Sequence, residues 1–222
     1  MQKSKKILIL GGQGNGSIIA NAIADANNRG YNEWECVGLL NDGEEKGTII
    51  DSFPVVGNIQ TDVHKFLNEG YYFINTILRI DGQYERISMF ERLNIPDDRL
   101  ATFVHPTAYV APNVKLGPGC VIMPMVCISS NTILGKGSIA MVGSTIGHDN
   151  IIGNYCHIAA QACVGSFLKV GIGVHFGLNS TTREHLTIGN YATIGMGAVL
   201  TKNVGEYEIW AGNPATFLRM AK

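Results

Sequence analysis

The chain divides by its hydrophobic rhythm. Over the first hundred or so residues, apolar residues come in short runs separated by polar and glycine-rich stretches; from Val104 onward they recur every six. Steps of six read Val104, Val110, Leu116, Ile122, Ile128, Leu134, Ala140, Ile146, Ile152, Ile158, Val164, Val170, Phe176, Thr182, Ile188, Ile194 and Leu200, and fifteen of these seventeen are Val, Ile, Leu or Phe. An ordinary sandwich of strands would alternate in faces and break at turns of variable length. One unbroken six-residue register is instead the signature of a stacked repeat.

Two further preferences give the hexad a shape. The position after the aliphatic residue is Gly at nine of seventeen places (117, 135, 147, 153, 165, 171, 177, 189, 195), and the fifth position is small or β-branched at fourteen. If each hexad is a short strand plus a corner, the aliphatic residue points inward, the small residue fits beside it, and glycine allows the chain to turn sharply. Three hexads then close a triangular coil of eighteen residues. At about 4.8 Å between stacked strands, the repeat builds a prism of about 5.7 coils and about 27 Å.

The first part reads differently. Lys6–Leu10 is a buried strand, Gly11–Gly16 a loop and Ser17–Ala24 the start of a helix. A second strand, Cys36–Leu40, ends in Asn41, Asp42 and Gly43, and a third run covers Tyr71–Ile74. Gln83–Leu93 has helical spacing and is expected to end at Pro96. A strand, a glycine loop and a helix bring backbone N–H groups and the positive end of a helix dipole to one place, which suits a phosphate. The loop does not reproduce the full dinucleotide fingerprint, because Gly12 and Gly14 fit and Ser17 stands where the last Gly would be. The expected organisation is mixed: a small Rossmann-like α/β domain over 1–103, then a parallel β-helix of hexapeptide repeats with a C-terminal cap over 104–222.

Composition narrows the function classes. Seventeen Lys and Arg against eighteen Asp and Glu leave a net charge of −1 with no basic stretch, which argues against nucleic acid and anionic membranes as partners. No apolar stretch approaches the roughly 18 residues of a spanning helix. The basic start from Met1 runs into only a short apolar segment, so a cytoplasmic protein is expected. Five cysteines, Cys36, Cys120, Cys127, Cys156 and Cys163, are odd in number and lack CxxC spacing; they read as reduced and mostly buried.

Among six histidines, His148 is the candidate for chemistry. It sits third in its hexad, just past the corner at Gly147, with Ser130 and Ser166 stacked eighteen residues either side, so its ring should point outward. Asp149 follows directly, and a carboxylate beside an imidazole fixes its tautomer and raises its basicity. His157 lies half a coil further on, on a different side of the prism, so the two rings could meet only between copies of the chain. His175 stacks on His157, yet no carboxylate or cysteine in register completes a metal site, and no metal is expected.

The glycine-rich start, Val104-His-Pro-Thr-Ala108, Gly147-His148-Asp149 and Gly212-Asn-Pro-Ala215 together resemble the hexapeptide-repeat acyltransferases. Within them the chain is similar to the bacterial sugar acetyltransferases that include nucleotide-amino-sugar N-acetyltransferases and sialic acid O-acetyltransferases. The resemblance implies left-handed coiling, an exception to the usual right-handed crossover, and a homotrimer with sites in the grooves between neighbours. It implies direct transfer of an acetyl group from acetyl-CoA, the cosubstrate, to the amino group of a UDP-type deoxy amino sugar. In that reading His148 is the general base and Asp149 polarises it, His157 contacts the acetyl group, and the Ser166 backbone N–H holds the oxyanion. Leu178, Gly195, Met196 and Gly197 line the coenzyme A groove. Gly12, Gly14, Asn15 and Gly16 take the phosphates, and Asn41 and Asp42 the uridine. The chain departs from the pattern at Met141, where related sequences carry Asn, and in Asn75–Arg86, which lacks the usual Gly-Asn pair. These departures keep two alternatives open: O-acetylation of a sugar hydroxyl, and a non-catalytic nucleotide-sugar-binding protein.

Overall fold

The computed structural model describes residues 4–221; Met1–Lys3 of the basic start, and Lys222, lie outside the described residues. The first hundred residues form a five-stranded sheet flanked by helices. Its strands are β1 (Lys5–Leu10), β2 (Trp34–Leu40), β3 (Ile49–Ile50), β4 (Phe53–Gly57) and β5 (Tyr72–Asn75), in the order β3-β4-β2-β1-β5. β1 pairs in parallel with both β2 and β5, and Ile7, Leu8, Ile9 and Leu10 are wholly buried, as the apolar run requires. Helix α1 covers Asn15–Asn28.

Residues 49–68, to which the sequence pattern assigns no element, form β3, β4 and helix α2 (Ile59–Asn68). Side-chain capping explains why α2 starts where it does: the Asn58 carboxamide oxygen accepts from the backbone N–H of Gln60 (2.9 Å) and Thr61 (3.4 Å). Helix α3 spans Gln83–Glu91 and stops short of Pro96. The stop comes instead from Asn94, whose φ of 49° lies in the left-handed region.

From Phe103–Val104 to Val199–Leu200, two-residue strands follow one another every six residues and stack into three flat faces. Every strand on a face pairs in parallel with the one eighteen residues away, as in Cys127 with Thr145 and His157 with His175. This is a left-handed parallel β-helix. The aliphatic positions from Ile122 to Leu200 fill the prism, and so do the fifth positions, among them Cys120, Thr132, Ser138, Asn150 and Ala192. Each large inward side chain contributes about 1.5–3 kcal/mol by leaving water. Val104 departs from the expected inward packing and is 41% exposed, because no coil lies outside the first one to cover it.

The reason for the repeated glycine also differs from the expectation. The nine second-position glycines do not have positive φ; a Cβ there would strike the next coil, 2.6 Å from the Lys136 nitrogen at Gly117 and 2.5 Å from the Gly171 carbonyl oxygen at Gly153. Positive φ falls two positions later, at corner residues such as Asn131, Asp149, Phe167 and His185. There the left-handed turn is held by hydrogen bonds between coils, with the Asp149 N–H donating to the Ser130 carbonyl (3.0 Å) and the Phe167 N–H to the His148 carbonyl (3.1 Å).

The cysteines divide. Cys120 and Cys156 are buried at fifth positions, and burial pushes each thiol up to about 12; burial also takes Cys36 up to about 11. Against the expectation of mostly buried cysteines, Cys163 is exposed and Cys127 and Cys36 only partly covered. Cys127 and Cys163 each precede an inward residue on a strand and so point outward.

The two parts of the chain are clamped together. Buried His105 meets the Asp25 carboxylate through Nε2 (3.0 Å) and the Thr107 hydroxyl through Nδ1 (2.8 Å). Gln83 donates to the Thr193 hydroxyl (2.8 Å), Arg219 to the Asp81 carboxylate (2.6 Å), and Phe90 packs edge-on against Tyr155. Within the prism, the largest face carries a parallel stack of the His157 and His175 rings, 5.1 Å between centroids with Nδ1 atoms 3.2 Å apart. Burial, with the nearby His175, pushes His157 down to about 3, and burial pushes His175 down to about 4, so both rings are neutral at pH 7.

Two stability predictions follow from this packing. Gly153→Ala should cost about 1–3 kcal/mol through the clash of its Cβ with the next coil, read as a lower urea midpoint with circular dichroism; an unchanged midpoint would contradict the close approach. The folded pKa values of the histidine pair lie below the unfolded value, so their full stability is present above pH about 6.5 and is lost as pH falls toward 4 and then 3, at up to about 1.4 kcal/mol per pH unit for each ring. Urea midpoints measured from pH 7 to pH 4.5 should fall less steeply in the double variant His157→Gln, His175→Gln; parallel curves would remove the pair from the acid response.

Candidate active site

A cavity of about 770 Å³ lies between the largest face of the prism and the α/β part. Its floor is the face carrying His157, His175, Thr193 and Ile194, and its opposite wall is the segment from Leu78 to Ile87. The glycine loop reaches one end: Asn15 lines the cavity, and its amide nitrogen is 3.4 Å from Nε2 of His157. Leu178, Gly195 and Met196 line it too, with Leu178 and Met196 half to three-quarters exposed. Five residues read from the sequence as phosphate or coenzyme contacts are thus brought together in one chain. Gly197 is not among the lining residues; its φ of 65° makes it a corner of the coil.

The glycine loop is shaped by close contacts. A Cβ on Gly12 would sit 2.1 Å from the Asn41 side-chain nitrogen, and one on Gly11 2.3 Å from the Thr76 hydroxyl. Gly14 caps α1 with φ of 81°, has open space where a Cβ would be, and offers no side-chain cap. Ser17 donates to the Gly12 carbonyl (3.0 Å), whereas the backbone N–H groups of Asn15 and Gly16 have no acceptor among the described residues. Free N–H groups at the positive end of a helix suit an anion. Asn41 and Asp42 are turned to local backbone instead: the Asn41 oxygen accepts from the Gly43 N–H (2.8 Å), and Asp42 Oδ1 accepts from the N–H of Ile59 (2.6 Å) and Gln60 (3.3 Å) at the start of α2.

His148 and Asp149 occupy the corner across the prism from this cavity. The His148 side chain is 47% exposed, and its Nδ1 is 2.7 Å from Asp149 Oδ2. The left-handed backbone of Asp149, φ 56°, turns its carboxylate back onto the preceding ring. Asp149 is held below the usual carboxylate range first by the hydrogen bond to His148 and then by one from Asn131. It is therefore ionised at neutral pH and accepts from an Nδ1–H; in the neutral ring that tautomer has its lone pair on Nε2. Ser166 sits one coil along, where its hydroxyl accepts from the His148 N–H (3.2 Å) and its own backbone N–H has no acceptor among the described residues. Phe167 presses edge-on against the His148 ring at 4.9 Å.

Within one chain, the described residues therefore form two separate clusters: an imidazole–carboxylate pair with a free N–H on one corner, and a groove lined by the His157–His175 stack on the opposite face. Arg79 and Arg86 also line the groove, and Asn131 joins the corner. The sequence reading names neither arginine as a contact, because the segment that carries them departs from the related pattern. Asn131 was legible in principle, since it precedes Asp149 by one coil. Met141 is buried beside the inward Ala140 and belongs to the core.

No family model matches the chain. A UDP-N-acetylglucosamine O-acyltransferase that uses acyl carrier protein, from Pseudomonas entomophila, is 31% identical over 86 residues, 39% of this chain and 33% of that protein. A UDP-3-O-acylglucosamine N-acyltransferase from a Caulobacter species is 33% identical over 111 residues, 45% of this chain and 32% of that protein. The chain spans about a third of the length of these curated relatives. Solved structures match over nearly all of both chains. The acetyltransferase domain of PglB from Neisseria gonorrhoeae, in complex with acetyl coenzyme A, has a TM-score of 0.79 at 26% identity, covering 97% of this chain and 100% of that one. A mutant of GDP-perosamine N-acetyltransferase from Caulobacter crescentus, in complex with CoA and GDP-perosamine, has a TM-score of 0.81 at 20% identity, covering 96% and 97%. In its repeat, its β-helix and its small N-terminal domain, the chain is built as the hexapeptide-repeat sugar N-acetyltransferases are.

Proposed function

We propose that this chain is an acetyl-CoA-dependent acetyltransferase that acylates the amino group of a nucleotide-linked deoxy amino sugar of the UDP type. The observation that carries the reading is the exposed His148–Asp149 pair, 2.7 Å apart, with the second ring nitrogen free. An amine attacking a thioester must lose a proton, and an imidazole oriented by a carboxylate is suited to take it. Nε2 of His148 accepts that proton as nitrogen bonds to the thioester carbon. The carbonyl oxygen gathers negative charge against the Ser166 N–H, a donor fixed in place by the coil. The intermediate then collapses, the carbon–sulfur bond breaks, and the coenzyme A thiolate leaves and takes up a proton.

The groove suits the cosubstrate's pantetheine arm, a long chain with amides at intervals, and His157 at its inner end stays neutral and so serves as a contact for the acetyl group. The two neighbours solved with acetyl coenzyme A or CoA support coenzyme A as the cosubstrate. The N–H groups at Asn15 and Gly16 suit the nucleotide's phosphates. Because the two half-sites lie on opposite sides of one prism, the reading calls for a homotrimer in which the His148 corner of one copy closes the groove of the next. No group of three or more potential metal ligands occurs among the described residues.

His148→Ala should lower turnover by about two to four powers of ten with the thermal midpoint unchanged; wild-type turnover would refute the base. Thiol release from acetyl-CoA, measured against a panel of UDP-amino sugars and free sialic acid, should follow the amino sugars. Release only with a hydroxyl acceptor would turn the reading to O-acetylation, and none with any acceptor would favour a binding protein. Sedimentation at micromolar concentration should give three copies, and a monomer would remove the shared site.

A further inference from the structure

A column of amide side chains runs up to the proposed base from behind. The Asn113 amide nitrogen donates to the Asn131 carboxamide oxygen, the Asn131 N–H donates to the Asn113 oxygen (3.2 Å), and Asn131 Nδ2 donates to Asp149 Oδ1 (3.1 Å). The three residues are spaced by eighteen and occupy one corner of successive coils. Asp149 has two carboxylate oxygens, and the column takes one of them while the other meets His148 Nδ1 at 2.7 Å. On the far side, Phe167 stands edge-on to the His148 ring and stacks on His185 at 4.6 Å.

We propose that Asn131 is a positioning residue for the base: by holding Asp149 Oδ1 it aims Oδ2 at His148 Nδ1 and so sets how readily the imidazole accepts a proton. The inference rests on the reading of His148 as the base, but the aiming of Asp149 can be tested without it. A carboxylate on an exposed corner swings freely about its side-chain torsions, and an unaimed one spends much of its time in water, where its attraction for an imidazolium is weak. An amide donor on a rigid coil holds one orientation and shortens the contact. Asn suits the position because it supplies a donor without a charge, so it orders the carboxylate without drawing it away from the ring.

Among the described residues, the titratable and charged groups around this corner are Asp149 itself, His185 behind the Phe167 ring, Arg183 and Glu184 two coils along, and, outward on the two adjoining faces, Cys127 and Cys163 beside Thr145 and Lys115 and Lys169 in the column of Ile151; Ser130, Ser166 and Asn131 are neutral. The lowering of Asp149 traces to His148 and Asn131 and to no other charged group. Changing Asn131 removes the one amide donor on Asp149, together with the side-chain contact to Asn113 further from the base, and the direction of the effect can be set by the substitution chosen.

The test is a proton titration of His148 followed by histidine-selective NMR, with the resonance assigned by its loss in His148→Ala. Asn131→Ala removes the donor, so the His148 midpoint should move to lower pH. Asn131→Asp keeps the size and adds a second carboxylate, so the midpoint should move to higher pH. In the acetyl transfer assay, the acid limb of the pH–rate profile should shift in the same two opposite directions. Asn131→Ala should lower kcat by roughly twofold to tenfold, the span of one net hydrogen bond, with KM for acetyl-CoA and acceptor within about twofold of wild type. A merely structural asparagine would move neither midpoint, or both the same way, and that result overturns the proposal. If the NMR midpoints move as stated but His148→Ala retains full turnover, the base reading fails while the aiming of Asp149 stands. If His148→Ala is inactive and the midpoints do not move, the Asn131 role alone fails.

Discussion

The structure depends on one register: strands eighteen residues apart lie side by side, coil after coil, joined by backbone N–H to carbonyl hydrogen bonds. Each strand of the β-helix from Phe103 to Leu200 is only two residues long, too short to persist alone, and all but those at the two ends are held between parallel neighbours on both edges. The register imposes identity on each column. A residue at a given place in one coil lies directly against its equivalents in the coils before and after, so the sequence must satisfy a packing condition every eighteen residues. The glycines at second positions answer that condition. A Cβ at Gly153 would stand 2.5 Å from a carbonyl oxygen of the next coil, so the residue is small because of what is stacked on it and not because of how its own backbone turns.

That distinction marks what could be read from the sequence and what could not. The hexads, the three faces, the inward aliphatic residues and the stack of His157 on His175 all follow from periodicity, which records burial directly. The cause of the glycines was misread because composition shows that a side chain is missing without showing what occupies its space. The true corner residues, Asn131, Asp149, Tyr155 and Phe167, share a left-handed backbone but no common side-chain type, so no pattern announces them. In the α/β part, β3, β4 and α2 escaped because α2 buries little beyond Ile59 and Val63 and is fixed by capping from Asn58 and Asp42. Capping of that kind joins residues seventeen apart, and periodicity does not register it.

The candidate site was legible in its parts and not in its assembly. Imidazole and carboxylate adjacent in sequence predicted the His148–Asp149 contact, and the glycine loop predicted free N–H groups at the head of α1. Sequence reasoning also placed His148 and His157 on different sides of the prism, from their separation of half a coil. It could not show that the Leu78–Ile87 segment walls the groove over the His157 face, because that contact depends on how the α/β part docks on the prism. The docking is made by isolated pairs, His105 with Asp25, Gln83 with Thr193 and Arg219 with Asp81, whose partners lie from 80 to 138 residues apart.

The same rigidity that makes the scaffold legible shapes what its surface can do. A prism with a filled interior has no internal cavity for a substrate, so any site must be built on a corner or against a face, with a second body supplying the other wall. The α/β part supplies one such wall along the His157 face, which accounts for the cavity there. The His148 corner has no such wall in its own chain, and its ring and carboxylate stand in solvent at 47% and 37% exposure. An imidazole–carboxylate pair gains strength as water is withdrawn from it. In the proposed reading the corner is a half-site, and a surface that covers it would strengthen the pair. The groove on the opposite face of a second copy is a surface of that kind, and each chain would then present both halves of a site that neither forms alone.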